Sequence, residues 1–347
     1  MRVRRSLLLT VPVLLATLTL AACGSEDPVP DAVDDTSTPV DGSTANFPVT
    51  VAHKFGETTV EREPERVVSV GYTEHDTLLQ LGVVPVGVTD WYGDQPFATW
   101  PWAQELLGDA EPEVLSLSDG FQYERIAALQ PDLIIGTNAG MTEKDYDLLS
   151  AIAPTITSVE GSTQYFSSWT DQTLQIARAL GREADGQALI DEVDAAHAAE
   201  AAAHPEYADL TAVFSQGGPY DDILYVYPEG LSTDFLTDLG FRYLPGLEDY
   251  APEVGSQAEI SAENVDLVEA DVVVFATESQ DQFDELQGWA TISLLPAVGE
   301  GRAVYTDETL AGAIYFDTPL SRAYVLEHLA PMVALASTGE SPREYPS

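Results

Sequence analysis

Residues 183–203 read EADGQALIDEVDAAHAAEAAA. The stretch is rich in Ala, lacks Pro and carries its one Gly near the start, so it should form a helix about 30 Å long at roughly 1.5 Å per residue. Its large apolar residues are few. Leu189, Ile190 and Val193 make one short stripe, while Asp191, Glu192, Asp194 and Glu200 lie off it. So thin a stripe is too little for a core helix. Two readings fit, an ordinary surface helix or a strut between two lobes, and the flanking sequence decides between them.

Before the stretch, residues 48–61 alternate apolar and polar around Phe55-Gly56-Glu57, the pattern of a hairpin. Residues 66–70 (RVVSV) read as a buried strand. Gly71-Tyr72-Thr73 then leads into a helix that ends at Leu81-Gly82, with Thr73 as N-cap and Asp76 at the third helical position. A second strand is expected over 84–89, an irregular aromatic insertion over 90–102 (DWYGDQPFATWPW), a helix over 124–130 and another buried strand over 132–136. Strands alternating with helices imply an α/β lobe with a mainly parallel sheet.

After the stretch the same pattern returns. His75-Asp76-Thr77-Leu78-Leu79-Gln80-Leu81-Gly82 aligns with Thr233-Asp234-Phe235-Leu236-Thr237-Asp238-Leu239-Gly240, identical at Asp, both aligned Leu and Gly. Residues 124–135 align with 263–274, pairing Glu124 with Glu263 and Asp132 with Asp271. Two matches in the same order indicate a duplicated α/β lobe. The Ala-rich helix lies between the copies, so the strut reading leads.

A chain of 347 residues with 45% hydrophobic content can bury two cores. The 14 Lys and Arg against 58 Asp and Glu give a net charge of −44, which repels nucleic acid and anionic lipid headgroups. The acids are scattered, as on a heavily solvated surface. Arg2, Arg4 and Arg5 precede an apolar run over 6–22 that has the form of a secretory leader. Leu20-Ala21-Ala22-Cys23 reads as a lipobox, with the chain's one Cys as the acceptor of the lipid. Residues 24–46, acidic and Pro-containing, read as a flexible tether spanning roughly 25 Å. The expected division is leader 1–22, anchor and tether 23–46, first lobe 47–164, connecting helical region 165–204, second lobe 205–336 and tail 337–347. The expected location is extracytoplasmic, with membrane contact only through the lipid on Cys23.

The chain resembles the iron-siderophore family of ABC-transporter substrate-binding lipoproteins. The resemblance rests on the lipobox at Cys23, residues 64–68 (PERVV), 81–87 (LGVVPVG), Glu124 followed by 129–135 (LQPDLII), and residues 289–305 with Pro296-Ala297-Val298 and Gly301-Arg302. It implies two Rossmann-like lobes with mainly parallel sheets, joined by a single long interlobe helix, and a ligand held between them with little domain closure. It also implies docking on a permease through one acidic residue per lobe, at the positions of Glu124 and Glu263.

In open α/β sheets, ligands sit beyond the carboxyl ends of the strands. The residues expected there are Tyr72, Thr73, Trp91, Tyr92, Trp100, Trp102 and Asn138 from the first half. From the second come Gln216, Tyr220, Tyr225, Tyr227, Arg242, Tyr243 and Phe316. Such aromatics suit an organic chelate whose iron is already coordinated, so no protein metal ligand and no resident cofactor is expected. Cations are scarce, with Arg125, Arg242, Arg302 and Arg322 the main candidates, which favours a hydroxamate-like ferric siderophore over a highly charged catecholate. The expected partners are that ferric siderophore and a permease, with the chain a monomer. Haem or cobalamin capture on the same scaffold is the alternative, and an extracytoplasmic enzyme is the alternative of another class. The five His show no metal-binding spacing, and no G-x-S-x-G, P-loop or dinucleotide fingerprint is present.

Overall fold

The computed structural model describes residues 47–162 and 167–346. The expected leader, the lipidated Cys23 and the acidic tether lie outside them. No helix among the described residues is long and apolar enough to cross a membrane.

An antiparallel hairpin of β1 (Val49–His53) and β2 (Gly56–Val60) opens the described chain, its turn at Lys54-Phe55 slightly before the expected one. The first lobe then builds a parallel sheet from β3 (Val67–Ser69), β4 (Gly87–Asp90), β5 (Glu113–Ser116), β6 (Leu133–Gly136) and β7 (Thr155–Thr157), in the order β5-β4-β3-β6-β7. Central β3 and β6 are buried throughout, as continuous apolar runs in a sheet covered on both faces should be. The expected strand over 84–89 begins only at Gly87, and Val84 is 42% exposed. Pro85 supplies no N–H for a ladder, so pairing waits until the chain is past it.

The second lobe comprises β8 (Thr211–Gln216), β9 (Ile223–Val226), β10 (Arg242–Tyr243), β11 (Ala258–Ser261), β12 (Val272–Ala276) and β13 (Ala303–Tyr305). β10, β8, β12 and β13 are parallel, whereas β9 runs antiparallel to both β8 and β11, so this sheet is mainly parallel with one reversed strand. β8 pairs with β12 as β3 pairs with β6. The aligned aspartates hold equivalent places too. Asp132 accepts the backbone N–H groups of Glu65 and Arg66 ahead of β3, and Asp271 accepts that of Thr211 at the start of β8.

Glu183–Ala203 is one helix of 21 residues between the two sheets. Its buried positions are Gly186, Ile190, Val193 and His197, spaced four, three and four apart, so they share one face. Ile190 and Val193 pack on Trp169, each burial worth about 1.5–3 kcal/mol, and Leu189 leans on the first lobe's core. His197 completes the stripe with Nδ1 at 2.9 Å from the Val193 carbonyl. The helix Trp169–Ala179, expected within a connecting region, packs on β1 and β7, and Gln175 Nε2 donates to Ala52 and Thr157 carbonyls there. A second link is the terminal helix Pro319–Ser337. It packs on the 183–203 helix, on β12 and β13, and on the first lobe's helix Glu74–Gln80. Near its start Arg322, 2% exposed, pairs with Asp238 and Asp317 and lies over the Trp169 ring at 4.8 Å. Beyond the helix, Tyr345 packs against the second lobe's core, so the expected tail is docked there.

Candidate functional site

The carboxyl ends of both sheets face a common cleft. Tyr72, Trp91, Asn138 and Gln172 from the first lobe and Ser232, Tyr315, Phe316 and Asp317 from the second line a cavity of about 290 Å³. A second cavity of about 220 Å³ shares Trp91, Ser232 and Tyr315 and adds Tyr92, Gln216, Tyr227 and Glu278. The two are halves of one aromatic cleft. Tyr72 stacks on Trp91 with centroids 5.4 Å apart, Trp91 meets Phe316 across the lobes at 5.7 Å, and Tyr92 meets Trp91 edge-on at 5.0 Å. Two buried polar atoms on these walls, the Tyr92 hydroxyl and Asn138 Oδ1, have no hydrogen-bond partner among the described residues. Such an atom costs roughly 1–3 kcal/mol unless something satisfies it.

Behind the aromatic wall lies a layer of buried acids. The Glu74 carboxylate takes the N–H of Asn138 at 2.6 Å and that of Thr73 at 3.1 Å, tying the loops after β3 and β6 together; burial pushes its pKa up. It occupies the space where a side chain at position 71 would start, since a Cβ on Gly71 would fall 2.0 Å from Glu74 Oε1. Asp76 reaches across the lobe boundary: its Oδ2 accepts from Trp102 Nε1 at 2.7 Å and from the Thr318 hydroxyl at 2.8 Å. Burial raises Asp76 to about 7 and lowers neighbouring His75, 3.8 Å away, to about 4.

Several expected ligand-facing residues belong to this supporting layer. Trp100 is 1% exposed and stacks on Trp102 at 5.2 Å, and both rings sit edge-on to Phe316, so they back the wall instead of facing the cleft. Thr73 stands at the expected N-cap position of the helix Glu74–Gln80, with Asp76 third in it, but it is buried with Oγ1 accepting from Asn138 Nδ2 at 3.1 Å and makes no side-chain cap bond. Tyr243 is buried within the second lobe, where its hydroxyl accepts the Phe214 N–H at 3.0 Å and donates to the Tyr227 carbonyl at 2.5 Å. Arg242 pairs in register with Thr211 at the amino end of β8 and donates to the Asp209 carbonyl, at the end of the sheet away from the cleft. Tyr220, 68% exposed, and Tyr225 line a separate open cavity of about 500 Å³ that shares only Gln216 with the cleft.

No Lys, Arg or His is among the described residues lining either half of the cleft. The cations singled out from sequence are committed elsewhere. Arg125 pairs with Glu113 at 2.7 Å, Arg302 with Glu269 at 2.7 Å and Glu300 at 3.0 Å, and Arg322 stands behind Asp317. The charged groups at the cleft are acids. Burial raises the pKa of Asp317, which Arg322 partly offsets, and that of Glu278, to which nearby Glu308 adds. Burial likewise raises Tyr92, Tyr227 and Tyr315, so these phenols stay neutral. Sequence reasoning passed over Tyr315, Ser232, Asp317 and Glu278. Glu278 follows β12 by two residues, where the strand-end rule would have looked, and Tyr315 adjoins Phe316. No three His, Cys, Asp or Glu side chains converge as a metal site among the described residues.

Glu124 and Glu263 are exposed and structurally equivalent. Each is the second residue of its helix, after caps at Gln122 and Ser261, although the second helix is 3-10 in form.

This two-lobed architecture is matched by known proteins. A family model described as periplasmic binding protein matches residues 67–310. A solved periplasmic solute binding protein from Mycobacterium smegmatis superposes with a TM-score of 0.79 at 40% identity, covering 84% of this chain and 99% of that one. The ferrichrome complex of PiaA from Streptococcus pneumoniae superposes with a TM-score of 0.69 at 26% identity, covering 84% and 99%. The probable siderophore-binding lipoprotein YfiY of Bacillus subtilis is 28% identical over 317 residues, 87% of this chain and 91% of that protein. Two α/β lobes, a helical link and a cleft at the carboxyl ends of both sheets thus agree with the match over most of the chain: it belongs to the periplasmic binding protein family.

Proposed function

We propose that this protein is the extracytoplasmic binding component of an ABC importer, anchored through Cys23, that captures a ferric siderophore between its lobes and hands it to a permease. A hydroxamate-like chelate fits best. The observation that carries this is an aromatic cleft with no cation among its described lining residues, whose Tyr92 and Asn138 each present a buried polar atom without a partner among the described residues. Aromatic walls provide area for a large organic ligand, and single polar atoms fix its orientation. A tris-catecholate carries several negative charges and would meet Asp317 and Glu278 with no cation among the described lining residues to offset them. YfiY and the ferrichrome-bound PiaA support the ligand class by their likeness.

The test is fluorescence titration of the soluble domain, since Trp91 forms part of both halves of the cleft. Ferric hydroxamates should quench Trp emission at 1:1 stoichiometry, and Trp91→Phe should remove most of that quenching. The bound chelate should be recovered chemically unchanged, which speaks against an enzyme. Quenching by haem or cobalamin alone, with none by any ferric siderophore, would overturn the iron reading.

A further inference from the structure

The two halves of the cleft differ chemically. The half around Trp91, Tyr92, Tyr227 and Tyr315 is an aromatic enclosure of about 220 Å³ with one carboxylate, Glu278, in its wall. Tyr92 and Tyr315 stand 6.4 Å apart at 60°, and Tyr227 and Tyr315 stand 6.2 Å apart. Glu278 is held in place by Gln282, which donates from Nε2 to Oε2 at 3.1 Å and accepts the Glu278 N–H on Oε1 at 2.9 Å. Burial and the nearby Glu308 both disfavour its ionised form, and no basic side chain among the lining residues compensates. A core role accounts for the aromatic rings but not for an acid placed among them. Aromatic faces attract ammonium groups, and a carboxylate beside them adds the counter-charge.

We propose that this half is an ammonium subsite, in which the four aromatic rings and Glu278 take a positively charged group of the chelate while the other half takes its iron core. The inference rests on the hydroxamate reading given above. It makes the ligand of choice a neutral ferric trihydroxamate core bearing an amine, with net positive charge overall.

The test uses three chelates with one iron core: ferrioxamine B, which carries a free ammonium, its N-acetyl derivative, which is neutral, and its N-succinyl derivative, which is anionic. Isothermal titration with the soluble domain should show ferrioxamine B binding about tenfold more tightly than the acetylated form, and the succinylated form weaker still. Glu278→Gln, and separately Tyr92→Leu, should narrow the first gap to about twofold, with folding of each variant checked by thermal melting. Equal affinity for all three chelates would overturn the subsite and leave the siderophore reading standing. A charge preference untouched by Glu278→Gln would overturn the role given to Glu278. Binding of none of the three by the folded wild-type domain would remove the hydroxamate reading and this inference with it.

Discussion

The fully buried neighbours His75 and Asp76 are shifted in opposite directions by the same cause, burial. Asp76, raised to about 7, adds stability that is complete below its ordinary 3.8 and is lost as pH rises towards 7. His75, lowered to about 4, adds stability that is complete above its ordinary 6.5 and is lost as pH falls towards 4. Between these limits the unfolded chain carries the proton on His75 and the folded chain carries it on Asp76, so the pair contributes almost no slope. Asp76→Asn leaves only the histidine. Relative to wild type, the variant should then lose up to about 1.4 kcal/mol per pH unit on acidification across that window, read from urea midpoints. Parallel pH curves for the two proteins would refute it. Residue identity alone exposed part of this scale. Trp91 and Tyr92 were legible as cleft candidates because their stretch of sequence carries no strand or helix pattern for them to pack into. Trp100 and Trp102 share that locale but lie beneath Phe316, and Trp102 is hydrogen-bonded to Asp76, contacts no local pattern contains.

Among the elements, the 183–203 helix was legible end to end, since Ala content and the absence of Pro act within a few residues. Its single Gly is where sequence and structure give opposite expectations. Helix propensity alone makes Gly186→Ala stabilising by about 1 kcal/mol. A Cβ there would lie 2.4 Å from the Ala177 Cβ, because this helix and Trp169–Ala179 approach closely at that point. Overpacking outweighs propensity, and Gly186→Ala should destabilise by about 1–3 kcal/mol in chemical denaturation; a variant more stable than wild type would show that the helices part easily. The reversed strand β9 escaped the alternation pattern because a short strand differs little in composition from the parallel strands beside it.

For the whole molecule, contacts besides the 183–203 helix hold the lobes, among them the terminal helix against Glu74–Gln80, Arg322 among Trp169, Asp238 and Asp317, and the Asp76–Thr318 hydrogen bond. A molecule so braced would present Glu124 and Glu263 at a nearly fixed separation, and we propose that they dock on the permease, as the resemblance implies. The double variant Glu124→Ala, Glu263→Ala should keep its ligand affinity within about twofold and abolish uptake in a transport assay, because both side chains are exposed on helix starts away from the cleft lining. Loss of binding, or undiminished uptake, would refute the docking role. The duplicated lobe, its α/β alternation, the linking helix and the acidic surface were determined by the sequence alone, since each depends on residues near one another along the chain or on composition summed over it. Only the tertiary structure decided which aromatics line the cleft and which support them, that Arg242 sits at the wrong end of its sheet, and that the described residues lining the cleft include acids but no cation. Those outcomes depend on which residues from the two halves meet across the lobe boundary, and packing rather than local pattern selects them.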